Sequence, residues 1–199
     1  MSAAVWIFIK RNFAVRGAKR VLYAAIFALL VWQLHKFWGV WIENPNTSIF
    51  YVIHGPIHEV GHTVTGIVTS SETAVVLAGS VFQILKPILV AVYFVVRKDY
   101  PATSLCLGWL GFATAEMGIY MYDANIGALQ LVTPFMDASD IEGDFTILFR
   151  KWGCLASGCR IGEITVHIGY AFVFAALIMI IGMLVLGFLP ERPMPEDEG

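Results

Sequence analysis

Charge is scarce in this chain: 13 basic and 15 acidic residues stand among 199, while 58% of the residues are hydrophobic. Soluble domains carry about a quarter charged residues, so water is excluded as the main solvent for most of the surface. The basic residues form no stripe interleaved with aromatics, and the net charge is only -2, which sets nucleic acid aside as a partner. Cysteine is rare and odd in number, at Cys106, Cys154 and Cys159, so no disulfide framework is implied. The single C-x4-C pair, with no second pair to complete it, reads as incidental. A small-x-small cleavage site is missing after the first apolar run, Val21 to Leu34, so that run is read as a retained helix rather than a signal peptide.

Long hydrophobic runs are what the chain has in abundance. A hydrocarbon core about 30 Å thick needs about 20 apolar residues per helical crossing. Runs of that kind cover residues 21–41, 49–68, 74–96, 102–122 and 161–189. The first closes on an aromatic stretch, Phe37 to Trp41, suited to a membrane interface. Breaks fall at Glu43–Ser48, Thr69–Glu72 and Arg97–Asp99, and in an irregular stretch holding Pro134, Asp137, Asp140, Glu142 and Asp144. The expected fold is all-α, one integral membrane domain: a polytopic bundle of about five transmembrane spans, preceded by a short interfacial helix within the basic segment 1–20. Phe145 to Trp152 is expected as a short helix with Asp144 at its cap, and residues 190–199 as a flexible acidic tail. Lys10, Arg11, Arg16, Lys19 and Arg20 precede the first run, with no acid among the first twenty residues. The positive-inside rule then places the N-terminus in the cytoplasm, in an inner or plasma membrane. Five crossings put the tail outside, with Arg97 and Lys98 outward and Arg150, Lys151 and Arg160 inward.

The second run reads His54-Gly55-Pro56-Ile57-His58-Glu59-Val60-Gly61-His62. Residues four apart on a helix lie about 40° apart around its axis, so His58 and His62 can converge on one metal while Glu59 reaches a water bound to it. Two imidazoles and a carboxylate at hydrocarbon depth are costly to desolvate, which marks them as a functional site. The competing reading is hydrogen bonding between packed helices. Zn2+ suits imidazole and carboxylate donors, and a catalytic zinc keeps one position for water, so one more protein ligand is needed. Glu116 lies at matching depth if the second and fourth spans run the same way, and is the first choice. Asp123, seven residues on, and Asp144, if its loop folds back into the bundle, are the alternatives. Pro56 favours a first helical turn, which starts the helix near Gly55 and leaves His54 just outside. Gln83 and Lys86 are read as an interhelical hydrogen bond and a snorkelling side chain.

The HExxH sequence His58-Glu59-Val60-Gly61-His62, followed by Gly66 and set in a transmembrane run with a carboxylate two runs later, resembles the site-2 protease family of intramembrane zinc metalloproteases, as a compact and divergent member. The specific likeness covers residues 55–66. The resemblance implies a core of three helices, His58 and His62 as metal ligands, Glu59 as general base, and hydrolysis of peptide bonds in membrane-embedded substrates by a zinc-bound water. The family's Asn-Pro followed by Leu-Asp-Gly pattern does not occur here; Asp140-Ile141-Glu142-Gly143 is a faint echo. The expected function is thus a zinc-dependent metallopeptidase whose partners are the lipid bilayer and a membrane protein or peptide substrate. The alternatives are a non-catalytic membrane scaffold that retains the motif and, at a distance, a membrane haem protein drawing also on His35 and His167.

Overall fold

The computed structural model describes residues 3–38, 48–129 and 142–189. The break at 43–47, residues 39–41 at the end of the aromatic stretch, the acids Asp137 and Asp140 with Pro134, and the tail 190–199 lie outside the described residues. All regular structure among the described residues is helical: α1 (Ala3–Phe13), α2 (Lys19–Phe37), α3 (Tyr51–Val68), α4 (Glu72–Val96), α5 (Tyr100–Asp123), α6 (Asp144–Lys151) and α7 (Gly158–Phe188), with a 3-10 turn, Leu155–Ser157, before the last. A helix stands in each of the five apolar runs, and α1 lies in the basic segment. Among the described residues, three helices are long and apolar enough to cross a membrane, Lys19–Phe37, Glu72–Val96 and Leu155–Phe188. They mark the chain as a membrane protein.

The other two long helices are less apolar for different reasons. α3 carries three histidines and Glu59. α5 is the enclosed helix of the bundle, and its interior positions are small: Gly108, Gly111, Ala113, Ala115 and Gly118 are all buried. Small residues let helix backbones approach closely where no water drives packing. A Cβ on Gly118 would stand 2.6 Å from the Val166 nitrogen, and one on Gly111 2.7 Å from the Gly169 carbonyl. Local chemistry sets the start of α5, where Asp99 Oδ1 accepts the Ala102 N–H at 3.1 Å and Pro101 occupies the first turn.

Contacts fix the helix directions. α7 runs antiparallel to α5, since Gly111 meets Val173 and Gly118 meets Val166. It also runs antiparallel to α2, since the Tyr170 hydroxyl donates to the Phe37 carbonyl while Arg20, at the other end of α2, donates to the Gly187 carbonyl. α4 is antiparallel to α5, since Gln83 meets Ala113 and Lys86 meets Trp109, and to α3, where Gly61 meets Ala78 and Gly66 meets Val75. It follows that α2, α3 and α5 all point the same way. α2 and α3 are in tandem: Phe37 and Phe50 both pack on Phe112, near the middle of α5, at 5.8 and 5.3 Å between ring centroids.

This arrangement differs from five alternating spans. The polar stretch before α3 reads as the end of a crossing because such residues usually sit at a surface. Here the N–H groups just before α3 are met by polar side chains of the chain itself: Ile49 N–H donates to Gln33 Oε1 of α2 at 3.2 Å, and Phe50 N–H to Ser48 Oγ at 3.0 Å. As a second consequence, the N-terminal segment and the end of α7 share one end of the molecule, where Val15 N–H donates to the Met183 carbonyl and Lys10 Nζ to the Leu189 carbonyl. The α4–α5 turn with Arg97 and Lys98 lies at that end too, because Tyr100 stacks on Phe13 at 4.3 Å.

The tight α5–α7 seam gives a direct test. Gly118→Val forces a side chain against the α7 backbone, and overpacking of this kind costs about 1–3 kcal/mol or more. Thermal unfolding of detergent-purified protein is expected to show a lower midpoint for this variant than for Gly182→Val, whose Cβ meets nothing within 4 Å.

Candidate metal centre

α3 presents one polar stripe to the bundle and an apolar face, including Val52, Val60, Val64 and Ile67, to the outside. The helix begins at Tyr51, one turn earlier than Pro56 suggests, and Pro56 lies within it. His54 is therefore a helical residue, and what holds this first turn is packing: Phe50 stacks on both Phe112 and His54.

His58 and His62 converge as their spacing predicts, with ring centroids 4.6 Å apart. The carboxylate beside them is Asp144. Its Oδ2 lies 2.8 Å from His58 Nε2 and 3.2 Å from His62 Nε2, and one donor atom from each of the three residues falls within 4.8 Å of the other two. Tetrahedral zinc with bonds of about 2.0–2.1 Å places its ligand atoms about 3.3 Å apart, so the donor set fits that ion in kind and in spacing. The three side chains are 22–24% exposed, so water reaches them.

Neighbouring groups orient the centre. His62 Nδ1 lies 2.8 Å from the Val75 carbonyl; donation there fixes the orientation of the ring and turns Nε2 toward Asp144. Gly79 on α4 makes the space, since a Cβ there would stand 2.5 Å from His62 Nε2 and 2.6 Å from His58 Nε2. Asp144 is the first residue of α6. Its carboxylate makes no N-cap bond and turns to the imidazoles, while Gly143 occupies the cap position. Phe145, Leu148 and Phe149 anchor α6 against α4 and α5. Burial opposes ionisation of Asp144, but the hydrogen bonds and charge of His58 and His62 outweigh it and lower its carboxyl to about 2. An anionic oxygen thus faces both rings at neutral pH.

Glu116, the first choice for the third ligand, is placed elsewhere. It contacts His54 Nδ1, and both side chains are 2% exposed. Depth matching puts Glu116 level with His62, but the register of α3 on the bundle puts it beside His54, two helical turns away, because α3 starts at the middle of α5 rather than at its end. Asp123 is also apart from the imidazoles: its carboxylate accepts the N–H groups of Ala128 at 2.8 Å and Leu129 at 3.2 Å, closing the turn after α5. The alternative that required the loop to fold back, Asp144, is the one the geometry brings to the histidines.

The cluster sits in a cavity of about 750 Å³ lined also by Glu59, Tyr51, Tyr120, Ser80, Gln83 and Glu116. Glu59 is exposed at its edge. Gln83 Nε2 donates to the Ala113 carbonyl at 3.1 Å, and Lys86 Nζ lies 5.5 Å from the Trp109 ring centroid, so both make interhelical contacts. His35 and His167 do not line the cavity. Sequence reasoning did not find Gly79, the Val75 carbonyl or Trp109. The run Ala78-Gly79-Ser80, small residues in an otherwise bulky helix, is the signal that could have pointed to Gly79. No protein-family model matches the chain, and no curated protein or solved structure matches it.

Elemental analysis after zinc loading and desalting is expected to give about one zinc per chain. His58→Ala and Asp144→Asn should bring it to background, while Glu116→Gln keeps it. Zinc held by Asp144→Asn but lost from Glu116→Gln would reverse the assignment of the third ligand.

Proposed function

We propose that this chain is an intramembrane zinc metallopeptidase related in mechanism to the site-2 proteases, cutting peptide bonds of membrane-embedded substrates. The observation that carries the reading is the meeting of His58, His62 and Asp144 around one point inside a cavity, with Glu59 on the same helix turn. Two imidazoles and a carboxylate leave a four-coordinate zinc one open position. When bound, zinc supplies Lewis acidity, which lowers the pKa of a water to near neutral.

The chain's own groups do the rest. Glu59 accepts the proton of the attacking water and returns it to the leaving amine, a role open to a carboxylate at the edge of a wet cavity. Val75 and Gly79 hold the imidazoles in place, the first by its carbonyl and the second by having no side chain. Substrate must offer a locally unwound segment, because helical amides are already bonded. Replacing Glu59 by Gln is expected to leave zinc at about one per chain and to slow hydrolysis of a helix-breaking transmembrane peptide by about 100-fold or more. Mass spectrometry of the products reads the outcome.

A second reading rests on the 2.8 Å contact between His58 and Asp144, which also serves as a polar clamp between α3 and α6 in a non-catalytic scaffold. That reading requires no zinc in the wild type and only a stability loss in His58→Ala.

The same proposal extends to topology. α2 and α3 together make one crossing, followed by α4, α5 and α7, so that the N-terminal segment and the end of α7 share a side. The basic cluster and Arg97 and Lys98 then lie together in the cytoplasm, as the positive-inside rule prefers, while the metal centre opens on the opposite face, which also carries Arg150, Lys151 and Arg160 rather than leaving them inward. In a cysteine-free background, Ser71→Cys is expected to react with an impermeant maleimide added outside intact cells. Arg97→Cys is expected to react only after lysis. The reverse pattern would invert the protein.

A further inference from the structure

One carboxylate in the cavity has no use in the chemistry above. Glu116 is 2% exposed, and its Oε1 is buried with no hydrogen-bond partner. Its other oxygen is committed to His54 Nδ1. Trp109 determines the roles in that pair: its indole N–H can only donate, and it donates to His54 Nε2 at 2.6 Å. A neutral His54 therefore carries its proton on Nδ1 and donates it to Glu116, which is the acceptor. No lysine or arginine among the described residues pairs with Glu116, and His54 meets it as a neutral hydrogen-bond donor. A buried carboxylate oxygen without a donor is costly, and a cation that supplies charge and hydrogen bond together offsets the cost best.

We propose that Glu116 is a recognition subsite for a positively charged side chain of the substrate, an ammonium or guanidinium group; the inference rests on the peptidase reading and gives it a substrate class. Glu116 lines the same cavity as the metal centre. His54, which holds it, precedes His58 by one helical turn, about 6 Å along the axis. An extended peptide advances about 3.3 Å per residue, so the charged side chain belongs roughly two residues from the bond that is cut. Tyr51 and Tyr120 supply aromatic wall on the way, and an aromatic wall tolerates the apolar stem of lysine or arginine.

The test uses the full chain in detergent with zinc supplied and Glu59→Gln to prevent turnover. Labelled transmembrane peptides, each with a helix-breaking centre, carry lysine or its uncharged analogue norleucine at successive positions, and fluorescence anisotropy reads their affinity. Lysine is expected to bind about tenfold more tightly than norleucine at one position in the series, and Glu116→Gln is expected to bring the two together while zinc remains bound. Equal affinity at every position, a lysine preference that survives Glu116→Gln, or no binding of either peptide overturns the proposal. The lysine and norleucine comparison itself needs no change at Glu116, so it stands even if that variant does not fold. No hydrolysis or no bound zinc in the wild type, with the lysine preference intact, would remove the peptidase and leave the subsite; the opposite result would remove the subsite alone.

Discussion

The centre depends on a steric fact before it depends on any charge: α3 and α4 touch backbone to backbone. Gly61 lies against the Ala78 carbonyl, where a Cβ would come within 2.5 Å, and Gly79 faces the two imidazoles, where a Cβ would come just as close. Moving the helices apart by the width of one methyl group would take His62 away from the Val75 carbonyl that orients it. It would also open the space in which His58, His62 and Asp144 meet. Hydrogen-bond distances tolerate a spread of only about half an ångström, and the two glycines decide whether they are reached.

How much of this was legible beforehand follows from which physics acts locally. The helices of the apolar runs, the convergence of His58 and His62, and the interhelical bond of Gln83 all come from periodicity and from the cost of unpaired polar groups, and these leave marks in the sequence. The start of α3 did not, because Pro56 argues for a later first turn and only the stacking of Phe50 on Phe112 overrides it. The third carboxylate was misplaced for the same reason. With α3 starting beside the middle of α5, Glu116 falls level with His54, and the acid that reaches His58 and His62 arrives from α6. Helix order is readable from hydrophobic runs; relative height is set by contacts distant in sequence.

Two polar clusters therefore share one cavity yet differ in kind. His58, His62 and Asp144 are partly exposed and converge on one point, an arrangement that suits an exchangeable water. His54, Glu116 and Trp109 lie deeper in the wall, and their bonds run in a fixed order from indole to imidazole to carboxylate. The first is open to solvent, whereas the second is held in one tautomer by a donor that cannot reverse.

The closing of α7 onto the N-terminal segment has a practical side. Lys10 and Arg20 bond carbonyls at the last turn of α7, so both ends of the described bundle emerge on the face away from Asp144 and the cavity. A bead, an electrode or a fused reporter attached at either end would leave the cavity unobstructed, and two different labels placed there would report on one another at short range rather than across the thickness of the molecule.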